Sequence, residues 1–133
     1  MGLIEWDDAL YSVEIKEFDE HHKKILHFIN DLHKAMMEGR GKDVMSDIFV
    51  ELSDYTHYHF QAEEREMLDK NYPEYANHKQ QHDMLMRQLI ELINDYDDGR
   101  KEVSIETFRF LKEWLFNHIQ VADKEYTPFL RKQ

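Results

Sequence analysis

Four segments of the chain repeat apolar residues at alternating steps of three and four, which is the spacing of an amphipathic helix. The predicted helices run from near Asp19 to Gly39, from about Asp43 to Lys70, from Pro73 to Asp97, and onward from near Ser104, with Pro128 after the end of the last one. Because the connections are short, consecutive helices are antiparallel neighbours. The sequence therefore predicts an all-α fold, an antiparallel up-down-up-down four-helix bundle.

The first 18 residues mix apolar and acidic residues without a sustained period. We expect an N-terminal arm over residues 1–18 that packs on the domain through Ile4 and Trp6, followed by the bundle over residues 19–131. A chain of 133 residues is long enough for one hydrophobic core but not for two. A single domain over residues 1–133 is therefore predicted.

Charge and cysteine content exclude several classes of function. The net charge of −11 repels phosphate backbones and anionic membranes, so we expect neither a nucleic acid nor a membrane as partner. The chain has no cysteine, which rules out thiolate ligands and fits a reducing compartment. The N-terminus lacks the basic and apolar regions of a signal peptide, so a cytoplasmic location is expected.

Ionisable residues occur on the apolar stripes of all four predicted helices, where a lone charge or imidazole would be costly without a partner. In an up-down-up-down bundle, the starts of the first and third helices share one end with the finishes of the second and fourth. Seven side chains therefore converge at one level of the bundle, and they are the candidate metal ligands: His22, His59, Glu63, His78, His82, His118 and Asp123.

The spacing of these residues favours metal chelation. Residues four apart lie on one helix face, as do His59 with Glu63 and His78 with His82. His118 and Asp123 are five apart, which on a regular helix separates them by roughly 140°. If both are ligands, the helix must widen, bend or end between Ile119 and Asp123, and we predict a π-type bulge or another irregularity there.

Seven ligands exceed the four of a zinc site and suit two ions bridged by carboxylates. Imidazole-rich ligation favours iron, copper, nickel or zinc. The competing interpretations are a polar core network and a structural zinc bundle, although zinc would leave ligands surplus. The other four histidines are assigned structural or surface positions off the inward stripe: His21, His27, His33 and His57.

Sequence motifs around these residues resemble the hemerythrin family in its single-domain prokaryotic form. They are residues 19–22 (DEHH), 59–64 (HFQAEE), the His78 and His82 pair, and 114–118 (WLFNH) followed by Asp123. His21 departs from the family, which often has glutamine there.

The resemblance implies a non-haem di-iron centre, bridged by an oxo or hydroxo group, that binds O₂ reversibly. One iron would be held by His78, His82 and His118, and the other by His22 and His59. Glu63 and Asp123 would bridge both irons, and the iron with two histidines would keep a position open for O₂.

Four apolar residues adjoin the ligands in sequence, and we expect them to form the dry wall of the O₂ pocket: Phe60, Trp114, Leu115 and Ile119. The expected role is to store, transport or supply O₂ without enzymatic turnover, together with a partner protein that consumes O₂. The alternatives are an enzyme that detoxifies O₂, nitric oxide or peroxide, and a sensor of oxygen or iron that acts through a partner. A ferritin-like oxidase is disfavoured because the chain contains no Glu-x-x-His motif.

Overall fold

The computed structural model describes residues 5–99 and 104–130, which are helical apart from short connections. The α-helices are α1 (Asp8–Tyr11), α2 (Lys16–Met37), α3 (Lys42–Asp69), α4 (Tyr75–Asp97), α5 (Ile105–Asn117) and α6 (Lys124–Leu130), and α5 is joined to α6 by a π-helical segment (His118–Asp123). The four long rods are α2, α3, α4 and the continuous unit of α5, the π segment and α6. The predicted all-α fold is confirmed.

Consecutive rods run antiparallel. The start of α2 meets the second half of α3 through His21 and His59, and the start of α3 meets the end of α4 where Ser46 and Lys42 donate to Asp97 at 3.0 and 2.7 Å. α2 also packs against α5. This arrangement places the starts of α2 and α4 and the ends of the other two rods at the same end of the bundle.

Three of the turns begin with a residue in the left-handed region, where φ is +68° at Gly39, +54° at Asn71 and +76° at Gly99. After α2, the Arg40 N–H donates to the Ala35 carbonyl at 3.0 Å, which satisfies a carbonyl that the helix leaves free. Glycine adopts this conformation at no steric cost, and asparagine tolerates it better than most residues. The turns are therefore encoded locally.

The start of α2 differs from the sequence prediction, because the helix begins at Lys16 rather than near Asp19. Asp19 lies inside the first turns and accepts hydrogen bonds from the Ser12 hydroxyl at 2.6 Å and from the Val13 N–H at 2.8 Å. The prediction was wrong because this carboxylate binds the arm before the helix instead of the first free N–H groups of the helix.

Two proline positions were also predicted wrongly. Pro73 does not begin α4, which starts at Tyr75; it lies in a turn closed by the Tyr75 N–H and the Tyr72 carbonyl at 3.2 Å. Pro128 lies inside α6 rather than after the helix. Since Pro128 is the fifth residue of α6, the hydrogen bond it lacks would go to Lys124, where the π segment already interrupts the regular pattern.

The start of α5 agrees with the prediction. Ser104 is its N-cap residue, and its hydroxyl accepts from the Thr107 N–H at 3.3 Å. The Ser104 N–H donates in return to the Thr107 hydroxyl at 3.2 Å. This reciprocal pair satisfies two of the donors at the helix start.

The arm before α2 packs on the outside of the ligand-rich end. Tyr11 stacks on Phe116 with the ring centroids 3.8 Å apart, and Trp6 lies 6.5 Å from the His22 ring. The predicted contact of Ile4 falls outside the described residues. Within residues 5–99 and 104–130, no helix combines the length and apolar character that crossing a membrane requires.

Candidate metal centre

The seven candidate ligands come together at one end of the bundle. His22 comes from α2, His59 and Glu63 from α3, His78 and His82 from α4, and His118 and Asp123 from the π segment. Their side chains are between 0 and 7% exposed. Their candidate ligand atoms form two overlapping groups, each with all atoms within 4.8 Å: Glu63, His78, His82, His118 and Asp123 in one, and His22, His59, Glu63 and Asp123 in the other.

The first group contains three imidazoles. The Nε2 atoms of His78 and His118 each lie 3.0 Å from Oδ1 of Asp123. The Nε2 atom of His82 lies 3.1 Å from Oε1 of Glu63. One oxygen of each carboxylate therefore faces this group, which we call the three-histidine site.

The second group contains two imidazoles and faces the other oxygen of each carboxylate. The Nε2 atom of His22 lies 3.1 Å from Oδ2 of Asp123 and 3.5 Å from Oε2 of Glu63. The Nε2 atom of His59 lies 3.2 Å from Oε2 of Glu63. We call this group the two-histidine site, and the two carboxylates lie between the sites.

The Nε2 atoms of all five histidines are buried without a hydrogen-bond partner, as are Oε1 of Glu63 and both carboxylate oxygens of Asp123. Burying so many unsatisfied polar atoms at one point costs several kcal/mol unless another group satisfies them. Imidazole nitrogens and carboxylate oxygens are together the donors that iron and similar transition metals prefer. The residues present therefore fit a pair of such ions.

The π segment explains how His118 and Asp123 reach the same point. They are the first and last residues of the segment, five apart, and Nε2 of His118 lies 3.0 Å from Oδ1 of Asp123. A π-helical turn pairs residues five apart, whereas an α-helical turn would have separated them by roughly 140°. The irregularity predicted between these two residues is confirmed.

Comparison with known proteins identifies the family. Residues 13–130 match the family model described as the hemerythrin HHE cation binding domain. The chain belongs to the hemerythrin family. The family resemblance inferred from the sequence is thereby confirmed.

Named hemerythrins align over almost the whole chain. A bacteriohemerythrin of Methylococcus capsulatus is 35% identical, with 98% of each chain covered. A bacteriohemerythrin of Stenotrophomonas maltophilia is 32% identical over 95% of this chain and 80% of that protein. A crystal structure of a wild-type hemerythrin superposes with a TM-score of 0.90 at 35% identity, covering 97% of this chain and 98% of that one.

Protonation of this hemerythrin site follows from its burial and its carboxylates. Burial alone would lower the pKa of His22 and of His82, but neighbouring carboxylates outweigh it and raise each pKa to about 9. Burial lowers the pKa of His59 to about 4. Burial opposes ionisation of Glu63 and Asp123, yet the surrounding histidines hold both carboxyl pKa values well below their usual range. Protons on two histidines thus balance the two carboxylates at neutral pH.

Two residues that contact the ligands were missed or misassigned. Oε2 of Glu64, predicted to be solvated, lies 2.7 Å from Nδ1 of His82. The hydroxyl of Tyr126, which sequence reasoning did not single out, donates to Glu63. Glu64 directly follows a ligand and Tyr126 lies three residues after Asp123, so each is near a ligand in sequence, but only the packed structure reveals the contacts.

His21 was predicted to lie off the inward stripe in a structural role; it belongs to neither ligand group, but it is buried against a ligand. His21 is 7% exposed, and its Nδ1 atom lies 2.8 Å from Nδ1 of His59. Two tyrosines of α3, Tyr55 and Tyr58, cover this side of α2, so the buried arc of α2 is wider than the narrow stripe suggested. His33, placed at the edge of the stripe, is also buried, at 5% exposure, whereas His27 and His57 are exposed as predicted.

A small cavity adjoins the ligands on the side of α5. It offers about 10 Å³ to the centre of a water-sized sphere, which is about the smallest space that holds one water molecule. All four residues predicted as pocket wall line the cavity: Phe60, Trp114, Leu115 and Ile119. The rest of the lining consists of Ile25, Leu85 and four of the ligands. The Trp114 ring N–H donates to the Leu85 carbonyl at 3.1 Å.

Proposed function

We propose that this chain binds O₂ reversibly at two iron ions held by the three-histidine and two-histidine sites. Membership of the hemerythrin family supports O₂ binding at non-haem iron. The single observation that carries the count of two is the placement of the carboxylates. Glu63 and Asp123 each turn one oxygen toward each site, as residues that bridge two ions would.

The unequal number of histidines assigns different roles to the two sites. Three imidazoles and two carboxylate oxygens would hold an ion at His78, His82 and His118, whereas the site of His22 and His59 would supply one imidazole fewer. We therefore assign O₂ to the two-histidine site. When bound, the iron pair supplies the two electrons that reversible O₂ binding requires.

The residues of the cavity keep water and acids away from this site. Apart from the ligands, the cavity is lined by apolar side chains and by Trp114, whose single N–H is used by the Leu85 carbonyl. Among the described residues, none lining the cavity other than a ligand offers a proton to a molecule inside it. A dry pocket without an acid favours reversible binding over turnover, because protonation would release reduced oxygen as a product.

Residues outside the ligand set hold the carboxylates and imidazoles in place. The Tyr126 hydroxyl fixes one oxygen of Glu63, and Glu64 accepts from His82 Nδ1. Both contacts orient a ligand, and the contact with Glu64 also increases the basicity of His82. The two ionised carboxylates also bring two negative charges to the site, which offset part of the charge of the cations.

The location and partners are further parts of this proposal. The absence of cysteine fits a cytoplasmic location. Among the described residues, no acid other than a ligand lines the cavity, which fits a protein that stores or supplies O₂ to a partner consuming it, with no enzymatic activity of its own.

Anaerobic reconstitution with Fe²⁺ followed by exposure to air tests the proposal. We expect two irons per chain and a visible charge-transfer band that forms with O₂ and vanishes on degassing. Irreversible loss of the band with release of peroxide would instead indicate an oxidase.

Two variants test the ligand assignment. His82→Ala should abolish stable loading of two irons, since it removes a buried ligand. His57→Ala is the matched control, because it also removes one imidazole, but His57 is exposed and belongs to neither ligand group. Normal iron content and a normal O₂ response in His82→Ala would disprove the site assignment.

A further inference from the structure

His21 and His59 form a buried pair of imidazoles at the edge of the two-histidine site. Their Nδ1 atoms are 2.8 Å apart, and their rings are nearly perpendicular, at 89°, with centroids 4.9 Å apart. His21 is not a member of either group of candidate ligands. Its contact with the site is therefore made through His59.

The chemistry of the site decides which imidazole donates. The Nε2 atom of His59 faces the site, 3.2 Å from Glu63, and must be free of its proton to bind a metal. A neutral imidazole then carries its proton on Nδ1. His59 therefore donates its Nδ1–H, and His21 accepts with a neutral ring protonated on Nε2.

The accepting ring is held in place by packing. His21 lies 5.4 Å from the Tyr58 ring, 5.8 Å from the Tyr55 ring and 5.8 Å from the Phe18 ring. Three aromatic neighbours on two helices leave the imidazole little freedom to turn away. The acceptor is thus in position before any metal binds.

The corresponding contact at the three-histidine site is different in kind. There the Nδ1 atom of His82 meets a carboxylate oxygen of Glu64 at 2.7 Å. A carboxylate draws the Nδ1 proton more strongly than a neutral imidazole does, and so makes its histidine the stronger electron donor to a metal. The two sites therefore differ in the strength of their ligands as well as in number.

We propose that His21 is a positioning residue for the two-histidine site. It accepts the Nδ1–H of His59 and fixes the tautomer that presents Nε2 to the metal. It also leaves His59 a weaker electron donor to the metal than His82. This inference rests on the proposed function, because it takes His59 to be a metal ligand. Glutamine in place of His21 would keep a neutral acceptor at this point, through its amide oxygen.

Nuclear magnetic resonance of the imidazole nitrogens tests the tautomer directly, with Zn²⁺ as a diamagnetic probe in the ¹⁵N-histidine-labelled full chain. We expect the His59 proton on Nδ1 and a ¹⁵N–¹⁵N coupling across the hydrogen bond to His21. In His21→Gln the coupling is lost while His59 keeps the same tautomer. A proton on Nδ1 of His21 pointing toward His59 would overturn the proposal.

Metal affinity tests the positioning role. His21→Phe keeps an aromatic ring but removes the acceptor, and it should weaken Zn²⁺ binding at the two-histidine site by about 10- to 100-fold, with the three-histidine site unaffected. His21→Gln should restore the lost affinity. His33→Phe is the matched control, because His33 is equally buried on the same helix and packs on Phe108 with the ring centroids 4.3 Å apart.

The outcomes separate this inference from the proposed function. Two zinc ions per wild-type chain with unchanged affinity in His21→Phe would overturn the inference alone. Equal weakening in His21→Gln and His21→Phe would also overturn it, because both variants alter packing but only one removes the acceptor. Fewer than two ions bound to the wild-type chain would overturn the proposed function, and the inference with it.

Discussion

The two ends of the bundle are built from the same helices but have opposite interiors. The end formed by the start of α3 and the finish of α4 is filled by apolar residues such as Met45 and Phe49, with Phe49 against Tyr96 at 5.4 Å between ring centroids. Among the described residues, His33 is the only buried histidine or carboxylate that lies toward this apolar end, and the others belong to or surround the ligands. The apolar end therefore contains the interactions that hold the helices together without a cation.

The ligand end gains its stability differently. Its buried nitrogens and oxygens are partly unsatisfied, and charged groups there are balanced by protons on His22 and His82. We infer that the apolar end determines whether the chain folds, whereas the ligand end becomes rigid only when cations replace the protons. Four predictions test this division, from the largest expected effect to the smallest.

Truncation of the apolar end should destabilise the fold without altering the metal content. Phe49 is fully buried, so Phe49→Ala should lower the free energy of unfolding by about 3–5 kcal/mol through lost burial and a cavity. Denaturant unfolding and iron analysis measure the two effects. A loss of iron from folded Phe49→Ala protein would contradict the division between the ends.

Metal removal should act on the opposite end. A ligand present at 1,000 times its dissociation constant stabilises the folded state by about 4 kcal/mol, so chelation should lower the free energy of unfolding by about that amount. Hydrogen exchange should accelerate in the π segment and in the second half of α3, around His59. Equal acceleration around Phe49 would show that the two ends are not independent.

The stability of the metal-free protein should fall as pH rises from 6.5 to 9. The pKa values of His22 and His82 are raised to about 9 in the fold, so their stabilising contribution is complete below pH 6.5 and is lost as pH passes through 9. A loss of several kcal/mol is expected, because both histidines contribute to it. The metal-loaded protein should lack this slope, since metal then occupies the two Nε2 atoms. A flat profile for the metal-free protein would refute the assigned protonation.

Loss of one hydroxyl should have the smallest effect. Tyr126→Phe removes the donor to the ionised Glu63 and should cost about 1–3 kcal/mol. Tyr96→Phe at the apolar end is the control, because the Tyr96 ring is half-buried against Phe49, and a change within about 0.5 kcal/mol is expected there. Similar losses in both variants would remove the distinction between these tyrosines.

Periodicity and topology together were enough to predict where the ligands meet. The stripe indicated which way His22, His59 and His82 face, and the antiparallel order of the helices indicated their level, so neither step required knowledge of individual contacts. The irregular helix before Asp123 was predictable for the same reason, since its spacing of five residues is incompatible with one face of an α-helix.

Contacts between residues on different helices were not predictable in this way. His21 is buried because Tyr55 and Tyr58 of α3 pack against it, and the sequence of α2 alone does not indicate these contacts. The start of α2 was misplaced because Asp19 could serve either its own helix or the preceding arm, and only the packed arm selects between them.

The π segment makes the centre depend on the number of residues as well as their identity. Val121, which lies within the segment and is 65% exposed, forms no part of the centre. Inserting one more residue beside it would nevertheless rotate everything that follows by about 100° on a regular helix and turn both Asp123 and Tyr126 away from their partners. In any related chain, lengthening the interval between the histidine of this rod and the aspartate would therefore disrupt the centre, whichever residues fill the interval.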